Sequence, residues 1–129
     1  MNRGFAFAAV GLTAAVTAAW ALARGKAAVR RAVVNGESML PAFRPGDRVL
    51  IVGPWPPRPG HVVAVFDPRG TGRLMVKRVR SVEGGAVDVR GDNPGASTDS
   101  RHFGPVPRAN LAGRVVYRYR PREDSGWLP

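Results

Sequence analysis

Short apolar runs alternate with turn-forming segments through most of the chain. Five runs are rich in valine, and segments containing glycine, proline or aspartate separate them. Runs of this length and spacing predict β-strands, and the Gly84-Gly85 pair between two of them predicts a hairpin turn. We therefore predict a mostly β fold, built as a single compact β-sheet or barrel-like domain. The runs are Arg48–Val52, His61–Phe66, Leu74–Val82, Ala86–Val89 and Leu111–Tyr119.

The N-terminal part differs, because Phe5–Ala23 is a run of 19 uncharged and mostly apolar residues. Since about 20 such residues cross a bilayer as a helix, we predict one N-terminal transmembrane helix. A cleaved signal peptide, for which Ala21–Ala23 has the small-x-small pattern, and a buried core helix are the alternatives. The predicted organisation is a membrane anchor with a basic juxtamembrane segment at 1–31, a β domain at 32–121 and a frayed tail at 122–129.

Composition excludes several kinds of chemistry. The 129 residues include no cysteine, which excludes disulfides, thiolate zinc sites, iron–sulfur centres and a cysteine nucleophile. With only two histidines besides, we expect neither a metal nor a cofactor. The net charge is +11, but basic residues are spread along the chain without an aromatic-interleaved RNA motif, so we expect no nucleic acid partner. The basic cluster Arg24–Arg31 instead suits a lipid bilayer with anionic headgroups.

Two residues are candidates for a nucleophile and its base. Ser38 follows a glycine-containing turn and precedes Pro41, a context that can present a hydroxyl beside free backbone N–H groups. Lys77 is one of only two lysines among 20 basic residues, and on a strand it would share an apolar face with Met75 and Val79. Burial lowers the pKa of an amine, which then can take a proton from a serine. The structural alternatives are a serine that caps a turn and a lysine that reaches water from a sheet edge.

The segment from Gly91 to Val106 is the third candidate part of a site. It has 16 residues and is dense in turn-forming side chains. A solvated loop is the simplest interpretation, but loops of this length in compact domains are usually functional or disordered. We therefore keep this segment as a candidate neighbour of Ser38 and Lys77.

Together these segments resemble the bacterial type I signal peptidases, which are membrane-anchored Ser–Lys proteases. Residues 36–41 (Gly-Glu-Ser-Met-Leu-Pro) resemble the serine box of that family, and residues 46–51 (Gly-Asp-Arg-Val-Leu-Ile) resemble its second box. Residues 76–79 (Val-Lys-Arg-Val) resemble the lysine box, and residues 91–106 resemble the box that begins Gly-Asp-Asn. The order and the approximate spacing of all four boxes agree, and the fold that they imply is a β catalytic domain behind a membrane anchor.

The resemblance implies a role for each residue that matches a box. Ser38 would be the nucleophile, and Lys77 would be the general base that takes its proton. Ser97 would hydrogen-bond the Lys77 amine and hold it in line. Asp99 and Arg101 would pair with each other and fix the loop beside the dyad.

Met39 would lie next to the site and help form its rim. The same comparison marks departures from the family pattern. Gly36 stands where some members carry a serine that donates to the oxyanion, so the backbone N–H of Ser38 is one expected donor and the second stays unassigned. Ala42 stands where threonine is common. The short distance in sequence between Lys77 and Gly91 leaves no room for the large inserted β domain of the bigger enzymes, which indicates a minimal catalytic core.

The function implied by the resemblance is removal of N-terminal signal or leader peptides from pre-proteins by a membrane-anchored serine endopeptidase. The family implies an extracytoplasmic catalytic domain on a single-pass anchor in the cell membrane, whereas the basic residues that follow Ala23 favour a cytoplasmic domain. The alternative function is a cytoplasmic-facing peptidase that removes the leader of nickel-type superoxide dismutase, and a lower one is a catalytically silent membrane-tethered β domain. Self-cleaving repressors share a Ser–Lys dyad, but they carry a DNA-binding domain in place of the apolar segment. The sequence carries no signal for or against an oligomer.

Overall fold

The computed structural model describes residues 28–129. The predicted transmembrane segment Phe5–Ala23 therefore lies outside the described residues. From residue 28 onwards, no helix has the length and apolar character needed to span a bilayer.

Eight strands form one antiparallel sheet, and its main path runs β1-β2-β7-β3-β4-β5-β6, with β8 paired to β7. The five predicted strands are β2, β3, β4, β5 and β7, so the mostly β fold is confirmed. The Gly84-Gly85 pair joins β4 to β5 as predicted. The strands are β1 (Ala28–Val33), β2 (Arg48–Gly53), β3 (Val62–Phe66), β4 (Leu74–Glu83), β5 (Ala86–Arg90), β6 (Val106–Pro107), β7 (Leu111–Arg120) and β8 (Gly126–Trp127).

The sheet is buried on both faces where β3 crosses its centre. Val62 and Ala64 pack into one apolar cluster together with residues such as Ile51. Val63 and Val65, which alternate with them, pack into a second cluster on the opposite face. Two-sided burial explains why β3 is a continuous apolar run rather than an alternating one.

The two ends of the described chain differ from the sequence expectation. β1 begins at Ala28, so the first strand includes residues that we had assigned to the basic juxtamembrane segment. The frayed tail expected after Pro121 is wrong in part, because β8 pairs with β7 and Leu128 N–H donates to the Val116 carbonyl. The Trp127 ring also packs edge-on against Tyr117, with 4.8 Å between the ring centroids.

The segment 91–106 is more regular than a solvated loop. It contains a 3-10 turn at Pro94–Ala96 and a short helix, α1, at Ser100–Phe103. The Asp99 side chain caps α1 by accepting from the Arg101 N–H, and His102 Nδ1 accepts from the Asp99 N–H in return. This reciprocal cap holds the segment in one conformation beside β4 and β5.

Candidate active site

Ser38 lies in the turn between β1 and β2. The conformation of Gly36 and two hydrogen bonds from Asn93 fix the backbone of that turn. Gly36 has φ of +73°, a left-handed conformation that glycine adopts without strain. The Asn93 N–H donates to the Ser38 carbonyl at 2.8 Å, and Asn93 Nδ2 donates to the Glu37 carbonyl at 3.1 Å. The Ser38 side chain is half-buried. The turn is therefore tied to the 91–106 segment through its backbone, which leaves the Ser38 hydroxyl available.

Met39 does not form the rim that we expected. Its side chain is fully buried and packs in the first apolar cluster beside Phe43 and Val49. Neighbouring side chains of a turn point in different directions, so a half-buried Ser38 and a core Met39 can follow each other directly. Met39 thus anchors the turn that carries Ser38 and has no surface in the site.

Lys77 is a nearly buried amine in the middle of β4. Its residue is 4% exposed, and it lies directly opposite Val63 in the ladder between β3 and β4. Lys77 Nζ donates a hydrogen bond to Ser97 Oγ at 3.0 Å. As predicted, Lys77 shares its face with apolar residues, since Val63 and Val79 belong to the second cluster.

Behind Ser97 a carboxylate completes a line of polar groups. Ser97 Oγ donates to Asp99 Oδ2 at 2.6 Å, and the Gly91 N–H donates to the same oxygen at 2.9 Å. Arg101 Nε donates to Asp99 Oδ1 at 2.9 Å, and Arg101 Nη2 donates to Oδ2 at 2.6 Å. Because the single hydroxyl proton of Ser97 goes to Asp99, its oxygen accepts from Lys77. The network thus fixes both the place of the amine and the direction of its hydrogen bond.

The electrostatics of this line favour an uncharged amine. Burial lowers the pKa of Lys77 below 10.5, the ordinary lysine value, although the charge of Asp99 opposes the shift. Arg101 and Arg73 add further lowering by like-charge repulsion. Burial alone would raise the pKa of Asp99, but hydrogen bonds from Arg101, Ser97 and the Gly91 N–H outweigh it and hold the pKa well below its usual range. Asp99 is therefore an anion that orients the site and takes no proton near neutral pH.

Ser38 and Lys77 both line one cleft of about 630 Å³. One wall is residues 32–38, at the end of β1 and the turn after it, and the other is residues 73–77, at the start of β4. Within residues 28–129, Ser38 Oγ makes no hydrogen bond, so the Lys77 amine is held by Ser97 and the Ser38 hydroxyl is open to the cleft. In the described part of the chain, no group of three or more acidic or histidine side chains could hold a metal ion.

Gly91 is a part of the site that sequence reasoning did not assign. A Cβ built on Gly91 would lie 2.6 Å from the Ser38 carbonyl oxygen and 2.6 Å from Ser97 Cβ, and closer still to Ser97 Oγ. Because glycine has no Cβ, the Ser38 turn and Ser97 can both pack directly against the backbone of Gly91. Asn93, which holds the Ser38 turn, was also missed. Both residues stand in the Gly-Asp-Asn box, whose spacing to the serine was the available signal.

The sequence of the chain is similar to a known peptidase family and to membrane proteases. The family model described as Peptidase S24-like matches residues 9–116. Over 122 residues the chain is 34% identical to the mitochondrial ATP-independent inner membrane protease subunit 1a of Arabidopsis thaliana, an alignment that covers 74% of this chain and 73% of that relative. Over 120 residues it is 30% identical to the mitochondrial inner membrane protease subunit 2 of Danio rerio, covering 73% of this chain and 64% of the relative.

A shorter alignment with another relative has a higher sequence identity. Over 54 residues the chain is 46% identical to the mitochondrial inner membrane protease subunit 1 of Xenopus tropicalis, which covers 42% of this chain and 32% of that protein. The family match, by contrast, spans most of the sequence, and it confirms the resemblance to signal peptidase-type enzymes. This chain belongs to the Peptidase S24-like family.

Proposed function

We propose that this chain is a serine endopeptidase that removes N-terminal signal or leader peptides from precursor proteins at a membrane, with Ser38 as nucleophile and Lys77 as general base. One observation carries the proposal most directly. The Lys77 amine is almost completely buried, is hydrogen-bonded to Ser97 and lines the same cleft as Ser38. A desolvated amine and an open hydroxyl in one cleft are the two groups needed to activate a serine without histidine.

The reaction follows from the proton positions. A neutral amine has two N–H bonds and one lone pair; one N–H donates to Ser97, and the lone pair accepts the Ser38 proton. Ser38 Oγ attacks the scissile carbonyl carbon, and the proton passes to Lys77 Nζ. When the C–N bond breaks, Lys77 gives that proton to the departing amine and an ester remains on Ser38. Water then attacks the ester, gives its proton to Lys77, and the proton returns to Ser38 as the acid leaves.

The oxyanion formed in each step requires hydrogen-bond donors. The Ser38 backbone N–H is the donor that we assign, because the oxyanion of a substrate carbon bonded to Ser38 Oγ lies near the Ser38 amide. Gly36 has no side-chain donor to add. The hydrogen bonds of Asn93 to the backbone of the Ser38 turn keep this amide in place.

The substrate segment is expected to bind in extended form along β4. Leu74–Lys77 pair with β3 on one edge, whereas β5 pairs only from Arg78 onwards. The second edge of Leu74–Lys77 is thus without a strand partner among the described residues, and it borders the cleft. An extended peptide can add to such an edge through main-chain hydrogen bonds and bring one carbonyl to Ser38.

The membrane part of the proposal is supported by one face of the sheet. Val29, Val33 and Trp127 are each about half exposed, at 46%, 47% and 46%. The predicted anchor ends at Ala23, and five residues reach at most about 18 Å, so β1 lies close to the bilayer if that segment spans it. Aromatic and basic side chains are typical of the membrane interface. Strand register places on this same face Val29, Arg31, Val33, Leu50, Val52, Tyr117 and Trp127.

The relatives favour this function over its alternatives. Those named above are called inner membrane proteases, which agrees with a membrane-bound peptidase and does not point to maturation of superoxide dismutase. A catalytically silent tethered domain is disfavoured by the buried Lys77 amine. Without a use for it, a nearly buried lysine would lower stability.

The test of the proposal is cleavage by the full chain in anionic lipid vesicles. The substrate is a purified precursor protein with an N-terminal leader, and the product N-terminus is read by mass spectrometry. We expect one cut that releases the leader, at a rate well above that of vesicles without the chain. Intact precursor after prolonged incubation, with a folded chain in the vesicles, would contradict the proposal.

Gly91→Ala is expected to damage the site through packing alone. The new methyl group would push the Ser38 turn away from Ser97, and overpacking of this kind costs about 1–3 kcal/mol of stability. A displacement of about 1 Å between reacting groups can lower kcat/KM by about 100-fold. The measurements are thermal unfolding and kcat/KM on a leader peptide. Gly95→Ala is the matched control, because a Cβ at Gly95 meets nothing within 4 Å; equal activity of the two variants would refute the close-approach argument.

A further inference from the structure

The cleft carries an excess of positive charge at the end near the start of β4. Besides Lys77, its charged lining residues are Arg69, Arg73 and Glu37. Arg73 belongs to the wall at residues 73–77, Arg69 comes from the β3–β4 turn that precedes it, and Glu37 belongs to the other wall, in the Ser38 turn. Any peptide that lies along β4 therefore passes two guanidinium groups.

Arg69 is already paired and serves as part of the wall. Its Nε donates to Asp67 Oδ1 at 2.9 Å, and its Nη2 donates to Asp67 Oδ2 at 2.8 Å. Its guanidinium carbon lies 5.6 Å from the centroid of the Phe103 ring, so the β3–β4 turn docks against α1. The positive charge of Arg69 is compensated by Asp67, and its side chain is fixed at two points.

Arg73 has a fixed backbone and an unpaired side chain. The Asp67 N–H donates to the Arg73 carbonyl at 2.8 Å, and the Arg73 N–H donates to Thr71 Oγ at 3.3 Å. The side chain is exposed, and within residues 28–129 it makes neither a hydrogen bond nor an ion pair. Glu37 forms no ion pair in that range either. Arg73 is thus the uncompensated cation of the cleft wall.

The position of Arg73 relative to the reaction follows from strand geometry. Arg73, Met75 and Lys77 alternate onto one side of the chain, and each pair of residues advances about 6.6 Å along a strand. Arg73 therefore lies about 13 Å from Lys77 along β4, which is the length of about four extended residues. The reach of the arginine side chain widens this to three to five residues.

We propose that Arg73 is a specificity-determining residue that binds an acidic side chain of the substrate, three to five residues from the scissile bond. The inference rests on the proposed function, since it assumes a peptide bound along β4 with its scissile carbonyl at Ser38. A carboxylate there meets an unpaired guanidinium, which can bind it through two hydrogen bonds. Because the site is exposed, we expect a preference of about two- to five-fold in kcat/KM for Asp over Asn, which weakens as salt is added.

The test is a set of leader peptides that are neutral apart from one Asp, which is moved position by position on each side of the scissile bond. Each peptide has a partner with Asn at the same place, and the full chain in vesicles cleaves both. We expect the Asp-to-Asn ratio of kcat/KM to exceed one at a single position, three to five residues from the cut. Ratios of one at every position would overturn the inference.

Charge reversal provides the second arm. In Arg73→Glu, the ratio at that position should fall below one and a Lys peptide should become the better substrate. Comparing ratios within each variant removes any effect of Arg73 on Lys77 itself. Arg80→Glu is the control, because Arg80 is exposed on the same strand away from the cleft; it should keep the wild-type ratio. An unchanged ratio in Arg73→Glu would refute the role of Arg73.

The same peptides distinguish a wrong role for Arg73 from a wrong proposed function. Ser38-dependent cleavage of the neutral peptide without any acidic preference refutes the inference about Arg73 and leaves the proposed function standing. If no peptide is cleaved, the result contradicts both the proposed function and the inference about Arg73.

Discussion

Ser38→Ala is expected to lower kcat/KM on a leader peptide by at least about 10⁴-fold, with the fold intact. No hydroxyl would remain to attack the carbonyl, and removal of a nucleophile from a hydrolytic dyad or triad leaves only the contribution of binding and oxyanion donors. The side chain makes no hydrogen bond among the described residues, so its loss should shift the melting temperature little. The measurement is kcat/KM by peptide assay, together with thermal unfolding.

Ser81→Ala is the matched control for that variant. Ser81 lies half-buried on β4, beyond the part of the strand that lines the cleft, and the same atom is removed there. We expect wild-type activity from it. If Ser38→Ala retained activity comparable to that of Ser81→Ala, Ser38 would not be the nucleophile.

Lys77→Arg is expected to lose at least about 10³-fold in kcat/KM, although it keeps a long basic side chain. A guanidinium cannot release its proton in a protein, and therefore cannot accept one from Ser38. For the wild type, only the unprotonated amine is active, so the rate should rise with pH through the pKa of Lys77. Because burial lowers that pKa, the midpoint of the rise should lie below pH 10.5. The measurement is the pH profile of kcat/KM between pH 5 and 10.

Lys77→Met separates the chemical role from a structural one. The folded state holds Lys77 with a lowered pKa while the unfolded chain does not, so the unfolded state binds more protons at pH values between the two pKa values. Protonation of Lys77 thus costs stability below its unfolded pKa, and that cost fades as pH rises. We expect Lys77→Met to be inactive and no less stable than the wild type at pH 7. A working Lys77→Arg enzyme, or a rate that stays flat over that pH range, would exclude the general-base role.

The sequence predicts the strands well where one kind of residue dominates. β3 is recognisable because it is a continuous valine-rich run that requires burial. β1 was not recognised, since Arg30 and Arg31 interrupt its apolar pattern and its residues are mostly exposed. An edge strand of this kind is stabilised by its ladder with β2 rather than by burial, and local pattern does not report such pairing.

The site was predictable to the extent that alternation along a strand determines it. Alternation around Lys77 predicts an amine on an apolar face, and the structure has it there. The contacts that complete the site link residues far apart in sequence, such as the hydrogen bonds of Asn93 to the Ser38 turn and the packing of Gly91 against Ser97. Spacing alone gives no distance between such residues. For Met39 the prediction from sequence was wrong. Its place next to Ser38 suggested a position at the rim of the site, but its side chain is fully buried.

The central claim is that Lys77 activates Ser38, and covalent labelling tests it most directly. A leader-like peptide with a fluorophosphonate at the scissile position forms a bond from phosphorus to an activated serine oxygen, with release of fluoride. Intact-mass and fragment-mass spectra of the full chain in vesicles give the labelled residue and the rate. We predict one label on Ser38, formed faster as pH rises and at least about 10³-fold more slowly in Lys77→Met. A label on another residue, or an unchanged rate in Lys77→Met, would contradict the account.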